Sequence, residues 1–214
     1  MAASAALILL LKPLLQRYAL ARPNARSSHR EPTPQGGGIA VCAATIAVVA
    51  AAAAVLPRPQ PGLVVELAPL FGAVALLAVV GALDDVRAIP VAPRLVLQIV
   101  AVSAVIATLP EELRVVPMLP VAIERILLVI GGTWFVNLVN FMDGIDWITV
   151  AEIVPVTAGL ALIGALGGLP ATGILVALAL LGAMLGFAPF NRPVARLFLG
   201  DVGSLPIGLM TGWL

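Results

Sequence analysis

The chain has 214 residues, of which 61% are apolar and only 11% charged, and its net charge is +1. Soluble domains average about 45–50% apolar and about 25% charged residues, so a water-soluble globular protein is excluded, and the near-neutral balance argues against a nucleic-acid partner or a polybasic membrane anchor. Cys42, the single cysteine, cannot form an internal disulfide and has no thiol partner for a metal site; it reads as a small apolar residue within a span.

In chain order, apolar segments run over residues 2–20, 37–56, 67–83, 93–109, 123–139, 148–166 and 171–187, and an eighth begins near 202. The first is preceded by no basic residue, so it reads as a membrane helix rather than a secretory leader. Backbone polar groups cannot stay unpaired in lipid, and the alternating pattern of barrel strands is absent, so these segments are predicted to be helices. The expected architecture is an all-α, polytopic transmembrane bundle of about eight spans, the last incomplete, forming one integral membrane domain over residues 1–214. No repeat of fixed period is evident.

Basic residues set the orientation. The loop after the first span shares its side with Arg17, Arg22, Arg26, Arg30, Arg87, Arg94, Arg192 and Arg196, whereas Arg58, Arg114 and Arg125 fall on the other. The arginine-rich side is predicted to be cytoplasmic, with the N-terminus outside.

All five aspartates, Asp84, Asp85, Asp143, Asp146 and Asp201, lie at the cytoplasmic ends of spans, whereas the six glutamates are spread over both sides. Asp84-Asp85 closes the third span. Adjacent carboxylates repel, and desolvation near a membrane raises that cost; a divalent cation or a role in proton handling would offset it, and a solvated helix end is the plain alternative. Asn137-Leu138-Val139-Asn140-Phe141-Met142-Asp143-Gly144-Ile145-Asp146 follows the fifth span. Asn137, Asn140 and Asp143 would share one helix face at i, i+3 spacing, and such an oxygen-rich cluster suits Mg²⁺, or Mn²⁺ in its place. Asp201, between Gly200 and Val202-Gly203, either caps the eighth helix or faces a phosphate or metal. Asn191-Arg192-Pro193 adds an amide and a cation. The run Gly36-Gly37-Gly38 can present backbone N–H groups to an anion, although a flexible lead-in looks the same. His29, the only histidine, is expected to be solvent-exposed. Together these groups suggest a polar cleft at one membrane face, holding a divalent cation, a diphosphate substrate and a lipid-anchored one.

Pro32-Thr33-Pro34-Gln35-Gly36-Gly37, Asp84-Asp85, residues 137–146, Asn191-Arg192-Pro193 and Phe198-Leu199-Gly200-Asp201-Val202-Gly203-Ser204 occur in an order that resembles the polyprenyl-phosphate N-acetylhexosamine-1-phosphate transferases, which include the phospho-N-acetylmuramoyl-pentapeptide transferase. The resemblance implies a Mg²⁺-dependent enzyme of the bacterial cytoplasmic membrane, acting for cell-envelope polysaccharide synthesis (lipopolysaccharide or peptidoglycan). It would transfer a sugar-1-phosphate from a UDP-N-acetylhexosamine to undecaprenyl phosphate in the membrane lipid, releasing UMP. It further implies Asp84 and Asp85 as the catalytic pair at the lipid phosphate, Asp143, Asp146 and Asn191 as substrate-binding residues, and Asn140 and Asp201 as metal-site residues. Relatives often carry glycine where Trp147 stands, and they continue through further spans and a histidine-rich cytoplasmic loop, so the chain is expected to be C-terminally truncated relative to the family. A degenerate relative without catalysis and a membrane transporter or lipid-handling protein are the competing readings; transporters place their polar residues near the bilayer midplane, and here only Glu152 approaches it. Whether the chain pairs as a homodimer is left open by the sequence.

Overall fold

A computed structural model describes residues 1–21, 29, 31–55 and 63–214. Eight helices follow the eight apolar segments: α1 (Ala2–Tyr18), α2 (Gly37–Val55), α3 (Leu63–Val86), α4 (Val91–Ala107), α5 (Val121–Met142), α6 (Ile148–Ala165), α7 (Ala171–Asn191) and α8 (Asp201–Trp213). Five of them, α2, α3, α5, α6 and α7, are long and apolar enough to cross a membrane, which makes the chain a polytopic membrane protein. α1 and α4, with 17 residues each, and α8, with 13, are shorter. Arg22, Arg26, Arg30 and Arg58 of the orientation argument lie outside the described residues.

The bundle is built around α8, which packs against α3, α5 and α2 and buries every residue from Val202 to Met210. α7 packs against α6, α2 and α1, and α3 continues to α4. Small residues permit the close approach. A β-carbon on Gly38 would fall 2.1 Å from the Gly203 α-carbon, and one on Gly81 would fall 2.3 Å from the Asp201 carbonyl. α2 and α3 therefore touch the first turn of α8 backbone to backbone, as small residues allow between membrane helices. Cys42 is buried beside that contact, its thiol 4.0 Å from the Val202 carbonyl, as the reading of it as a small span residue expects.

One short antiparallel pair, β1 (Leu20–Ala21) with β2 (Thr33–Pro34), ties the first loop to the same end of the bundle. The backbone continues this pairing onto the segment before α8. Phe198 N–H donates to the Pro34 carbonyl, and Gly37 and Gly38 donate to the Phe198 and Leu199 carbonyls. The N–H groups of Gly37 and Gly38, which the sequence left open between an anion cradle and a flexible lead-in, are thus occupied by backbone. Those glycines serve close packing instead.

Candidate functional site

The aspartate-bearing ends of α3, α5 and α8 meet at one end of the bundle. Asp84, at the last turn of α3, accepts from Ile89 N–H at 2.6 Å and from Arg94 Nη1 at 2.6 Å. The same Arg94 nitrogen reaches Asp201 Oδ2 at 3.3 Å. One cation at the start of α4 therefore bridges two carboxylates from two other helices, a charge-assisted arrangement that holds both in register. Asn140 on α5 donates from Nδ2 to Asp201 Oδ1 and to Ser204 Oγ, both at 2.8 Å. The Asn140 nitrogen thus joins α5 to two side chains of the first turn of α8.

Asp85 plays a different part. Its two oxygens accept from Asp201 N–H at 3.0 Å and Val202 N–H at 3.1 Å, so a carboxylate of α3 caps the first turn of α8. Orphan N–H groups and the helix dipole both favour an anion there. Gly200, at φ +78°, makes room, since a β-carbon on it would sit 2.5 Å from Asp85 Oδ2. Gln35 Nε2 donates to the Asp85 carbonyl at 2.7 Å. The cap on α8 is thus Asp85, and the side chain of Asp201, a sequence-level candidate for that task, turns to Arg94 and Asn140.

The loop between α5 and α6 carries the other two acids. Asp143, the residue that ends α5, accepts from the Thr149 hydroxyl. Burial pushes its carboxyl up to about 7, the Thr149 hydrogen bond opposes this, and the charges of Asp201 and Asp85 add to the rise. Asp146 accepts from the backbone N–H of Ala195 at 2.9 Å and pairs with His29 Nε2 at 2.8 Å. His29 stands edge-on to Phe198, with ring centroids 4.8 Å apart. The expectation of an exposed histidine is therefore wrong, because its side chain is buried against Asp146 from 117 residues away. Asn191 is buried, accepting from Trp147 N–H at 2.8 Å and donating to the Leu197 carbonyl at 3.1 Å. Asn137 does not join Asn140. It donates to Gln98 Oε1 at 2.6 Å and to the Thr133 carbonyl at 2.9 Å, one turn further from the end of α5.

The geometry thus divides the sequence candidates. Asp84, Asp201 and Asn140, with Asp143 interacting electrostatically, form the cluster; Asp85, Asp146 and Asn191 tie backbone segments together around it. Arg94, His29, Gln35 and Ser204 were missed as site residues. Arg94 had a signal, being a cation in the first turn of an apolar helix ten residues after Asp84.

No three of His, Cys, Asp and Glu among the described residues close on one point, so an all-protein metal cage is not built here. Both oxygens of Asp201 accept from nitrogen donors, Arg94 Nη1 and Asn140 Nδ2; Mg²⁺ characteristically takes one or two carboxylates and completes its shell with substrate phosphates and water. Asp201 is a carboxylate of the kind such a shell takes.

The family model of glycosyl transferase family 4 matches residues 67–214. The chain belongs to glycosyl transferase family 4. The chain is also similar to the decaprenyl-phosphate N-acetylglucosaminephosphotransferase of Mycolicibacterium smegmatis, 32% identical over 91% of this chain and 52% of that protein's length. The chain thus spans about half the length of that relative. The matched region includes all five aspartates, while the β1–β2 loop and His29 lie before it.

Proposed function

We propose that this family 4 protein transfers an N-acetylhexosamine-1-phosphate from a UDP-sugar to a polyprenyl phosphate, undecaprenyl phosphate in a bacterial cytoplasmic membrane, on the cytoplasmic face. The observation that supports this best is the convergence of Asp84, Asp201 and Asn140 from three helices, around one arginine, at a single end of a membrane bundle. An acceptor anchored in lipid and a water-soluble diphosphate donor can meet only at such an end. The transporter reading lacks an equivalent, since the aspartates lie at helix ends and not at broken helices in mid-membrane.

In this reading an oxygen of the lipid phosphate attacks the sugar-bound phosphorus of the donor. The bond to the α-phosphate oxygen breaks, and UMP departs with the electron pair. The acceptor phosphate is already anionic near neutral pH, its second pKa being about 6, so alignment and charge neutralisation matter more than a strong base. Arg94 draws Asp84 and Asp201 together and faces the incoming phosphates. Asn140 orients Asp201. Asp85 holds the first turn of α8 in place, and Asp146 and Asn191 shape the donor side by fixing the loops before α6 and α8. Mg²⁺, held by Asp201 and Asn140, would supply neutralisation of the diphosphate and of the leaving UMP.

The test is UMP release by membranes carrying the protein, with UDP-N-acetylhexosamines and undecaprenyl phosphate, with and without Mg²⁺. Mg²⁺-dependent release that Asp84→Asn and Asp201→Asn each reduce by at least about 100-fold supports the assignment. Release indifferent to both substitutions overturns it.

A further inference from the structure

At the end of the bundle opposite the aspartates, the connection from α4 to α5 over residues 108–120 is built in a way that its surroundings must explain. α4 has 17 residues, about 25 Å at 1.5 Å per residue, against a hydrocarbon core of about 30 Å. Such a helix does not reach from one face of the hydrocarbon core to the other. Arg125 of α5 donates to the Ile106 carbonyl and, through Nη2, to the carbonyls of Leu109 at 2.7 Å and Pro110 at 3.2 Å. Thr108 closes the Val105 carbonyl through both N–H and hydroxyl. Two of the last carbonyls of α4, those of Val105 and Ile106, and two just beyond it, which at a helix end in water would simply be hydrated, are met by protein.

The turn that follows is organised from inside by Glu124, which is only 3% exposed. Its carboxylate accepts from the N–H groups of Val115 and Val116 at 2.6 and 2.8 Å and from Arg114, whose guanidinium also reaches the Leu119 carbonyl. Leu119 N–H donates to Val116 O at 3.0 Å, and Pro117 and Pro120 have no N–H to satisfy. After the exposed Glu111 and Glu112, the ionic and hydrogen-bonding groups of Arg114 and Glu124 are thus engaged within the turn, while the exposed side chains from Val115 to Met118 are apolar. Met118 is 93% exposed, Val115 68% and Val116 41%. An aqueous loop has no need of this inversion, whereas non-helical backbone at membrane depth must satisfy its own polar groups.

The geometry points to the Val115–Met118 tip being immersed in the bilayer, at the boundary between headgroups and acyl chains of the leaflet opposite the aspartate cluster. Its partner is the lipid itself, contacted by Val115, Val116 and Met118, while the neighbouring exposed Glu111 and Glu112 remain in water. The tip anchors the first turn of α5, and α5 carries Asn140 at its other end, so the anchor fixes how deep that amide sits.

The test uses Met118→Cys, Val115→Cys and Glu112→Cys proteins labelled with an environment-sensitive nitrobenzoxadiazole fluorophore in phospholipid vesicles. The unsubstituted chain, with Cys42 buried, gives the background. Labels at Met118 and Val115 are expected to emit at shorter wavelength than the label at Glu112. Bromine-bearing acyl chains should quench them at least threefold more than aqueous iodide does, and the order should reverse at Glu112. Tip labels no better quenched by lipid than the Glu112 label, or shielded from both quenchers by a protein surface, overturn the inference.

Discussion

Asp84 and Asp85 are neighbours in sequence with the same side chain, yet their surroundings separate their tasks. Asp85 gives both oxygens to the first turn of α8, whereas Asp84 shares Arg94 with Asp201. Losing a cap whose buried N–H groups then go unpaired costs about 1–3 kcal/mol. Asp85→Ala should therefore lower the melting temperature of the detergent-solubilised protein by several degrees. Asp84→Asn, which keeps the shape and an acceptor oxygen, should melt close to the parent while losing UMP release. Equal melting losses in the two proteins would refute the division. Trp147 supplies a second case. It holds φ +70°, a left-handed conformation in which a bulky side chain costs on the order of 1–2 kcal/mol, and the family resemblance implies glycine there. Trp147→Gly loses the packing of a partly buried ring but relieves that strain, so the net change expected in a melting experiment is within about 1 kcal/mol. Trp147→Val, β-branched and unsuited to this conformation, should destabilise by more.

At the scale of elements, the contacts that aim the site are backbone against backbone. Gly81→Ala would place its methyl 2.3 Å from the Asp201 carbonyl, and no flexible side chain is there to yield. Overpacking of this kind costs about 1–3 kcal/mol and must displace α8, the helix that carries Asp201. The expected result is a lowered melting temperature together with reduced UMP release, whereas Gly72→Ala, which meets nothing within 4 Å, should leave both unchanged. This is also where sequence reading reaches its limit. The eight apolar runs are legible because lipid demands about 20 apolar residues per crossing, and their observed ends differ by a few residues, most at the start of α3, Leu63, and the end of α7, Asn191. The placement of the aspartates at one end follows from span counting alone. Hidden from the sequence were pairings across long separations: His29 with Asp146, Asp85 with α8, and the glycine run with Phe198 and Leu199. Each depends on which helices become neighbours, and a glycine that admits a facing backbone reads the same as one that frees a turn or cradles an anion.

For the molecule as a whole, four half-buried carboxylates close around few cations, and Asp143 expresses the strain most clearly. Its carboxyl titrates at about 7, against an ordinary 3.8, chiefly because it is buried. A folded-state pKa raised above the unfolded value means that the native protein holds the proton more tightly. The stabilisation is complete below about pH 4, decays as pH rises toward 7, and is gone above it. At 1.36 kcal/mol per pKa unit the whole excursion is on the order of a few kcal/mol. Melting curves recorded in the presence of a chelator from pH 4.5 to 8.5 should therefore fall with rising pH, and Asp143→Asn, neutral throughout, should flatten the decline. Adding Mg²⁺ should restore stability to the parent at the alkaline end, because a bound cation lowers the cost of ionising the carboxyls around it. The same addition should do less for Asp143→Asn, in which one of those charges is already missing. If Mg²⁺ shifts neither curve, the oxygen cluster does not hold the ion in the absence of substrate, and metal enters only with the diphosphate.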